Sequence, residues 1–300
     1  MIIYADDLTI KIKLIGPVQL NEIYLNNQLK EVQKWMDCNK LLFNPSKTEL
    51  IVISNKKDDI YKDLKLTMRG QVVTQKRAVR MLGLYLTKNL RMDYYIHQMK
   101  NNLVSSLNHR LFILRQLRPK CGPVQFKILS CGIFVSKLLW GISYWYQTTE
   151  VLRDKIRVLL NDMVRLVEGC KRSDRRRLKE LYRSQRQLTV DSLVACQDLN
   201  LLWSIRNSGT PWHMASRLAD ESERLRAGPQ TRARTNLLVH PLTRENQGVS
   251  KLRTEAFLSR ALRRAAVLDR EVTNKMALED SRQKQRNILR DHFLEQDYLA

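Results

Sequence analysis

Met1-Ile2-Ile3-Tyr4-Ala5-Asp6-Asp7-Leu8-Thr9-Ile10-Lys11-Ile12-Lys13 decides the fold. Apolar residues lead into two adjacent carboxylates, and Leu8, Ile10 and Ile12 then alternate with Thr9, Lys11 and Lys13. That period of two is the pattern of a strand with one buried face. Asp6 and Asp7 therefore belong at or beside a tight hairpin turn. Two carboxylates held side by side repel each other and suit a hard divalent cation such as magnesium, which prefers oxygen ligands. The bland alternative is a surface turn, because Asp is a common turn former.

The stretch that follows predicts a helix. Over residues 20–36, Leu25, Leu29, Val32 and Met36 recur at spacings of four, three and four, with Pro17 near the start and Asn39, Asn44 and Pro45 breaking the pattern after it. Leu41-Leu42-Phe43-Asn44-Pro45-Ser46-Lys47-Thr48-Glu49 comes next, then a strand-like run over residues 50–53. A second strand group is predicted at residues 64–68, 71–74 and 80–86, joined through Arg69-Gly70, and links this short imply antiparallel pairing.

Together these motifs resemble the second half of a reverse-transcriptase palm, and most closely that of LINE-type retrotransposons without long terminal repeats, of the jockey-like kind. The resemblance is carried by Tyr4-Ala5-Asp6-Asp7, by Trp35-Met36 and Asn39-Lys40-Leu41, and by Asn44 to Glu49. Arg80-Met81-Leu82-Gly83-Leu84-Tyr85-Leu86 is similar to that family's primer-gripping hairpin. His97, Leu138-Leu139-Trp140-Gly141 and Trp145 resemble landmarks of its helical thumb, and Pro241, Phe257 and Ala261-Leu262-Arg263-Arg264 resemble its C-terminal region. A group II intron polymerase is the related option, but the Trp35-Met36 and Asn44-to-Glu49 pattern fits LINE-type enzymes better.

The resemblance implies an RNA-directed DNA polymerase that joins a primer 3′-hydroxyl to a deoxynucleoside triphosphate by two-metal catalysis. Asp6 would be the principal ligand of Mg2+, or of Mn2+, and Asp7 would bind metal or set the local field. Tyr4, Leu82 and Gly83 would lie against the primer, and Lys47 would neutralise or protonate the departing pyrophosphate. The implied partners are an RNA template and a DNA primer or RNA–DNA hybrid, in a cytoplasmic ribonucleoprotein that acts in the nucleus. The family also uses a third carboxylate on an earlier strand, preceded by fingers. Only three residues precede Tyr4, so both are expected to be missing, metal binding to be weak and the chain alone not to polymerise DNA. An open sheet edge and an uncovered apolar face, with poor solubility, are the expected consequences. The alternative function is that of a non-catalytic basic nucleic-acid-binding protein or an inactive relic.

Charge points to the same partners. The 300 residues carry 53 Lys and Arg against 30 Asp and Glu, a formal net charge of +23. An excess this large favours polyanions, with affinity that falls steeply as salt rises. Residues 1–150 hold 16 Lys and 7 Arg, and residues 151–300 hold 6 Lys and 24 Arg. Arg presents planar, bidentate donors to phosphate, so the second half is the better candidate for tracking a nucleic-acid backbone. Its densest run is Lys171, Arg172, Arg175, Arg176 and Arg177, which serves equally as a phosphate contact, a nuclear-import signal or a solvated loop.

The fold class expected is α+β: part of a polymerase palm over residues 1–90, a helical thumb-like region over residues 91–203, and a linker with an Arg-rich, partly disordered helical tail over residues 204–300. In the middle region, Leu103, Leu107, Leu111 and Leu114, and then Ile156, Leu159, Leu160, Met163 and Leu166, carry helical spacing. The apolar segment 128–146 contains Lys137 and reads as a buried helix rather than a membrane span. Five cysteines without close pairing indicate neither a disulfide framework nor a zinc site, and fit a reducing compartment.

Overall fold

The computed structural model describes residues 2–4, 7–41, 44–53, 61, 64–90, 95–96, 102–174, 177–210, 212, 214–216, 260–261, 264–265, 268, 270–279 and 281–299. The chain is α+β and divides into two compact units, Met1–Arg91 and Met92–Ala300.

Among its described residues, the first unit is built on one α-helix and four short ladders. Strands β1 (Ile2–Tyr4) and β2 (Asp7–Thr9) form an antiparallel hairpin. Helix α1 (Val18–Cys38) begins at Pro17 without a side-chain cap. Its entry is fixed instead by buried Asn21, whose side chain accepts from the Ile15 amide (3.2 Å) and donates to the carbonyls of Ile15 (3.1 Å) and Pro17 (2.8 Å). The inner face of α1 buries Leu25, with Leu29 and Val32 packed alongside, in a core made by Val52, Leu64, Leu66, Met68 and Val73. Polar side chains of the same helix satisfy the chain it lies on. Glu22 accepts from the Lys65 amide (2.7 Å), and Asn26 accepts from the Thr67 amide (2.9 Å) and donates to the Lys65 carbonyl (3.1 Å). The opposite side of α1 leaves Leu20, Ile23, Tyr24 and Trp35 exposed.

Strands β4 (Thr67–Met68) and β5 (Gln71–Val72) pair antiparallel across Arg69-Gly70, and β7 (Ala78–Met81) and β8 (Leu84–Thr87) across Leu82-Gly83. Both two-residue turns have positive φ at each central position, 49° and 75° in the first and 49° and 80° in the second. This turn matches the right-handed twist of the flanking strands, and the glycine at its second position is what makes it accessible. One expectation is corrected: the strand expected at residues 50–53 is reduced to β3 (Glu49–Leu50), because Val52 turns into the core. β6 (Thr74–Gln75) pairs with β3 in parallel, through Glu49↔Thr74 and Leu50↔Gln75, with a Lys76–Glu49 ion pair beside the ladder.

The second unit is helical. Asn102 caps α2 (Leu103–Leu117) by accepting from the Ser105 amide (2.7 Å), and Leu103, Leu107, Leu111 and Leu114 are buried as their spacing requires. Helix α6 (Glu150–Glu168) buries Ile156, Leu159, Leu160 and Met163, with Val167 taking the inward position that the sequence suggests for Leu166. Arg118 closes its end, donating to the carbonyls of Leu166 (3.2 Å) and Val167 (3.4 Å).

The segment 128–146 is not one continuous helix. It runs as α3 (Pro123–Ser130), a π-helical turn (Cys131–Val135), α4 (Ser136–Leu139), a break at Trp140-Gly141 with Gly141 at φ 65°, and α5 (Ile142–Trp145). Side chains take up backbone along it: Arg110 donates to the Ile133 carbonyl (2.8 Å) and the indole of buried Trp145 to that of Leu138 (3.2 Å). Among the described residues, no helix is long and apolar enough to cross a membrane.

Helices α7 (Leu178–Gln185) and α8 (Val190–Ser208) follow, and α9 (Arg270–Leu278) and α10 (Arg282–Leu299) complete the unit. Burial of Leu193, Val194, Ala195, Asp198, Leu199, Leu202, Trp203 and Ile205 encloses α8 on several faces, and α10 packs on α8 and α7.

Candidate functional site

The β1–β2 register pairs Ile2 with Thr9, Ile3 with Leu8 and Tyr4 with Asp7. Asp7 therefore opens β2 directly across from Tyr4, with an exposed side chain that makes no ion pair among the described residues. Ala5 and Asp6, the two residues between them in sequence, lie outside the described residues. The far end of β2 meets a second motif: the Thr9 hydroxyl is 4.0 Å from the Met81 sulfur, and Met81 is the last residue of β7 before the Leu82-Gly83 turn. The carboxylate hairpin and the β7–β8 hairpin are thus neighbours within one unit. Leu82, at φ 49°, is exposed at the tip of that turn.

Lys47 ends a 3-10 turn, Pro45–Lys47, that Asn44 organises. The Asn44 side-chain oxygen accepts from the Ser46 amide (3.1 Å) and hydroxyl (2.6 Å), and its carbonyl accepts from the Lys47 amide (3.2 Å). The sequence Asn-Pro-Ser-Lys thereby builds its own turn and leaves the Lys47 ammonium exposed. Among the described residues Lys47 makes no ion pair, so it is not joined to Asp7.

An exposed carboxylate such as Asp7 has the oxygen chemistry that a hard cation takes, and its exposure leaves room for the waters that magnesium retains. No three His, Cys, Asp or Glu side chains converge among the described residues. A metal site at this hairpin would need Asp7 together with residues outside that set.

The basic run is partly engaged. Arg172 holds Asp162 through two hydrogen bonds, one of 2.9 Å from Nε, and the Lys171 amide donates to Asp174 (2.7 Å). Lys171 and Arg177 are exposed, and Arg175 and Arg176 lie outside the described residues, as do His97, Pro241, Phe257, Leu262 and Arg263.

Two further features lie outside these motifs. Asp198 is fully buried and receives Arg260 through Nε and Nη2 (2.5 and 3.1 Å) and Arg264 through Nη1 (2.8 Å). Around the Tyr146 ring stand the guanidinium groups of Arg153, Arg260 and Arg264, at 4.8, 5.6 and 5.7 Å from its centroid. The Tyr146 hydroxyl donates to Asp191, which Arg157 also grips. Burial opposes ionisation of Asp191, but the hydrogen bonds from Arg157 and Tyr146 outweigh it and hold the carboxyl below the ordinary range. Burial likewise pushes the Cys196 thiol up to about 12, so this cysteine is a packing residue rather than a nucleophile. The second feature is a row of arginines on α10, Arg282, Arg286 and Arg290, whose four-residue spacing is plain in the sequence.

No family model, curated protein or solved structure matches the chain.

Proposed function

We propose that the first unit carries the carboxylate hairpin and the primer-side hairpin of an RNA-directed DNA polymerase of the LINE type. The observation that supports this reading is the approach of Thr9 to Met81 at 4.0 Å, which sets the Tyr4–Asp7 hairpin against the Leu82-Gly83 hairpin. These two motifs lie more than seventy residues apart in sequence, and a polymerase needs them together: one holds metal, the other holds the primer end.

In this reading Asp6 and Asp7 supply oxygen ligands, and Tyr4 packs beside the primer terminus. The turn at Leu82-Gly83 brings a side chain and a glycine backbone to the primer strand. Lys47, exposed and without an ion pair among the described residues, offers its ammonium to the leaving pyrophosphate. Magnesium, when bound, activates the attacking 3′-hydroxyl and stabilises the charge that develops at the phosphate. The protein's own contribution is orientation and fixed charge. Asp6 and Asp7 are two of the three carboxylates such a site uses, so the reading calls for a further carboxylate beside them. RNA, DNA primer and deoxynucleoside triphosphates are the partners.

Mn2+ titration of the full chain, followed by electron paramagnetic resonance, tests the metal half of this reading. One weak site is expected, and it disappears in Asp6→Asn/Asp7→Asn while the helical circular dichroism is unchanged. Manganese binding that is indifferent to both substitutions removes the polymerase reading. What would then be left is the second reading, a polynucleotide-binding protein without catalysis, which the net charge of +23 favours on its own.

A further inference from the structure

We infer that the arginine row of α10 is a docking surface for the phosphodiester backbone of a polynucleotide, centred on Arg282, Arg286 and Arg290 and extended by Arg186 at the end of α7. All four are exposed. At 1.5 Å of rise per residue the row spans about 12 Å along one side of the helix. Arg186 joins its far end: the Arg290 guanidinium donates to the Arg186 carbonyl (3.2 Å), and the Arg186 guanidinium meets Asp291 (2.9 Å). Both partners in that ion pair are more than half exposed, so the pair is weak and opens at little cost. Arg282 and Arg286 make no ion pair or hydrogen bond among the described residues.

A conflict between local stability and sequence points to a ligand. The N-terminal end of a helix carries partial positive charge and favours acidic residues in its first turn. Helix α10 has none there, and Arg282, Lys284, Arg286 and Arg290 instead concentrate cations over its first nine residues. Glu279, just before the helix, meets Lys284 (3.6 Å) and leaves Arg282 and Arg286 without an ion pair among the described residues. A bound polyanion relieves the repulsion that remains, because the dipole and the guanidinium groups then act on it together. Places where a sequence breaks a local rule are where functional or strained sites are expected.

The form of the surface selects the polyanion. A lipid surface would need an apolar stripe beside the cations. Of the apolar residues of α10, Leu289 and Leu294 are buried and Ile288 and Phe293 half-buried, and its outward side carries Gln283 and Asn287, hydrogen-bonded to each other (3.3 Å). Planar guanidinium groups repeated at one-turn intervals suit successive phosphates and read no base, so binding is independent of sequence.

This surface lies in the second unit and does not depend on the metal-site reading. The test is fluorescence anisotropy of the full chain with a short RNA–DNA hybrid over a series of salt concentrations. Arg282→Gln/Arg286→Gln is expected to weaken binding about ten-fold at low salt and to flatten the log–log salt slope by roughly 1.4 to 1.8, two phosphate contacts' worth. Arg282→Lys/Arg286→Lys should restore most of the slope. Should the double Gln variant fail to fold, Arg286→Gln alone carries half of the expected change. An unaltered slope in a folded variant overturns the proposal, as does binding of anionic vesicles, but not the hybrid, through the same arginines. Arg282→Gln/Arg286→Gln should keep the manganese signal of the parent chain, which separates failure of this surface from failure of the metal site.

Discussion

Asp198 has no exposed surface, and among the described residues Arg260 and Arg264 balance its charge. Burying an ion pair gains little over burying apolar groups, but removing one partner leaves the other charged and out of water, which costs about 3–5 kcal/mol. Asp198→Asn is therefore expected to lower the stability of the second unit by about that amount in urea denaturation followed by circular dichroism. Adding Arg260→Met should recover part of the loss, and a cycle with no coupling between the two sites would contradict the pairing. Nothing in the sequence announced this cluster. The residues lie 62 and 66 positions apart, and helical spacing reports which side of a helix is apolar, not which carboxylate sits opposite a distant guanidinium. The strands around Asp7, by contrast, were legible because turn chemistry and period-two alternation are local. Their neighbour across the unit, Met81, was not, since Thr9 reaches it only through the packing of two hairpins.

At the scale of elements, the Leu82-Gly83 turn places a β-hairpin under local strain. Its first central position has φ 49°, a conformation that asparagine, aspartate and glycine adopt readily and leucine does not. Leu82→Asn is expected to stabilise the β7–β8 hairpin by about 1 kcal/mol, seen as slower hydrogen exchange at the ladder amides of Val79 and Leu86. If the exposed leucine serves the primer, the same substitution weakens primer-end binding even as it tightens the hairpin. A purely structural residue would show the first effect without the second. The hairpins and the helices α1, α2 and α6 were readable because each follows a strong short-range signal: Gly at a turn, or Leu at three- and four-residue spacing. The parallel β3–β6 pair was not, because two residues per strand carry no pattern and Glu49–Lys76 contacts fix the pairing from outside. The break at Trp140-Gly141 was hidden in the same way, since the apolar run continues across it and only a glycine at φ 65° marks the change.

For the whole molecule, residues beyond Ser208 help to hold α8 in place. Asp297 accepts from the Thr189 amide (3.2 Å) and from the Ser192 hydroxyl (2.6 Å), serving the N-terminal turn of α8 from 108 and 105 residues away. Arg260 and Arg264 neutralise Asp198 in the middle of the same helix. α10 covers a face of α8 that carries buried residues. Composition alone describes the C-terminal third as basic and polar, and contacts of such sequence separation leave no periodic trace in it. A chain ending at Gly209 would lack all of these contacts, with a buried carboxylate left unpaired and an apolar helix face opened to water. It should lose the cooperative calorimetric transition of the second unit and bind a hydrophobic dye. The stretch Met92–Ala300 by itself should keep both the transition and the near-ultraviolet signal of its buried tryptophans. Were the shortened chain to melt as sharply and at the same temperature as the full one, α8 would owe its stability to α6 and α7 instead, and the C-terminal helices would be passengers on the fold.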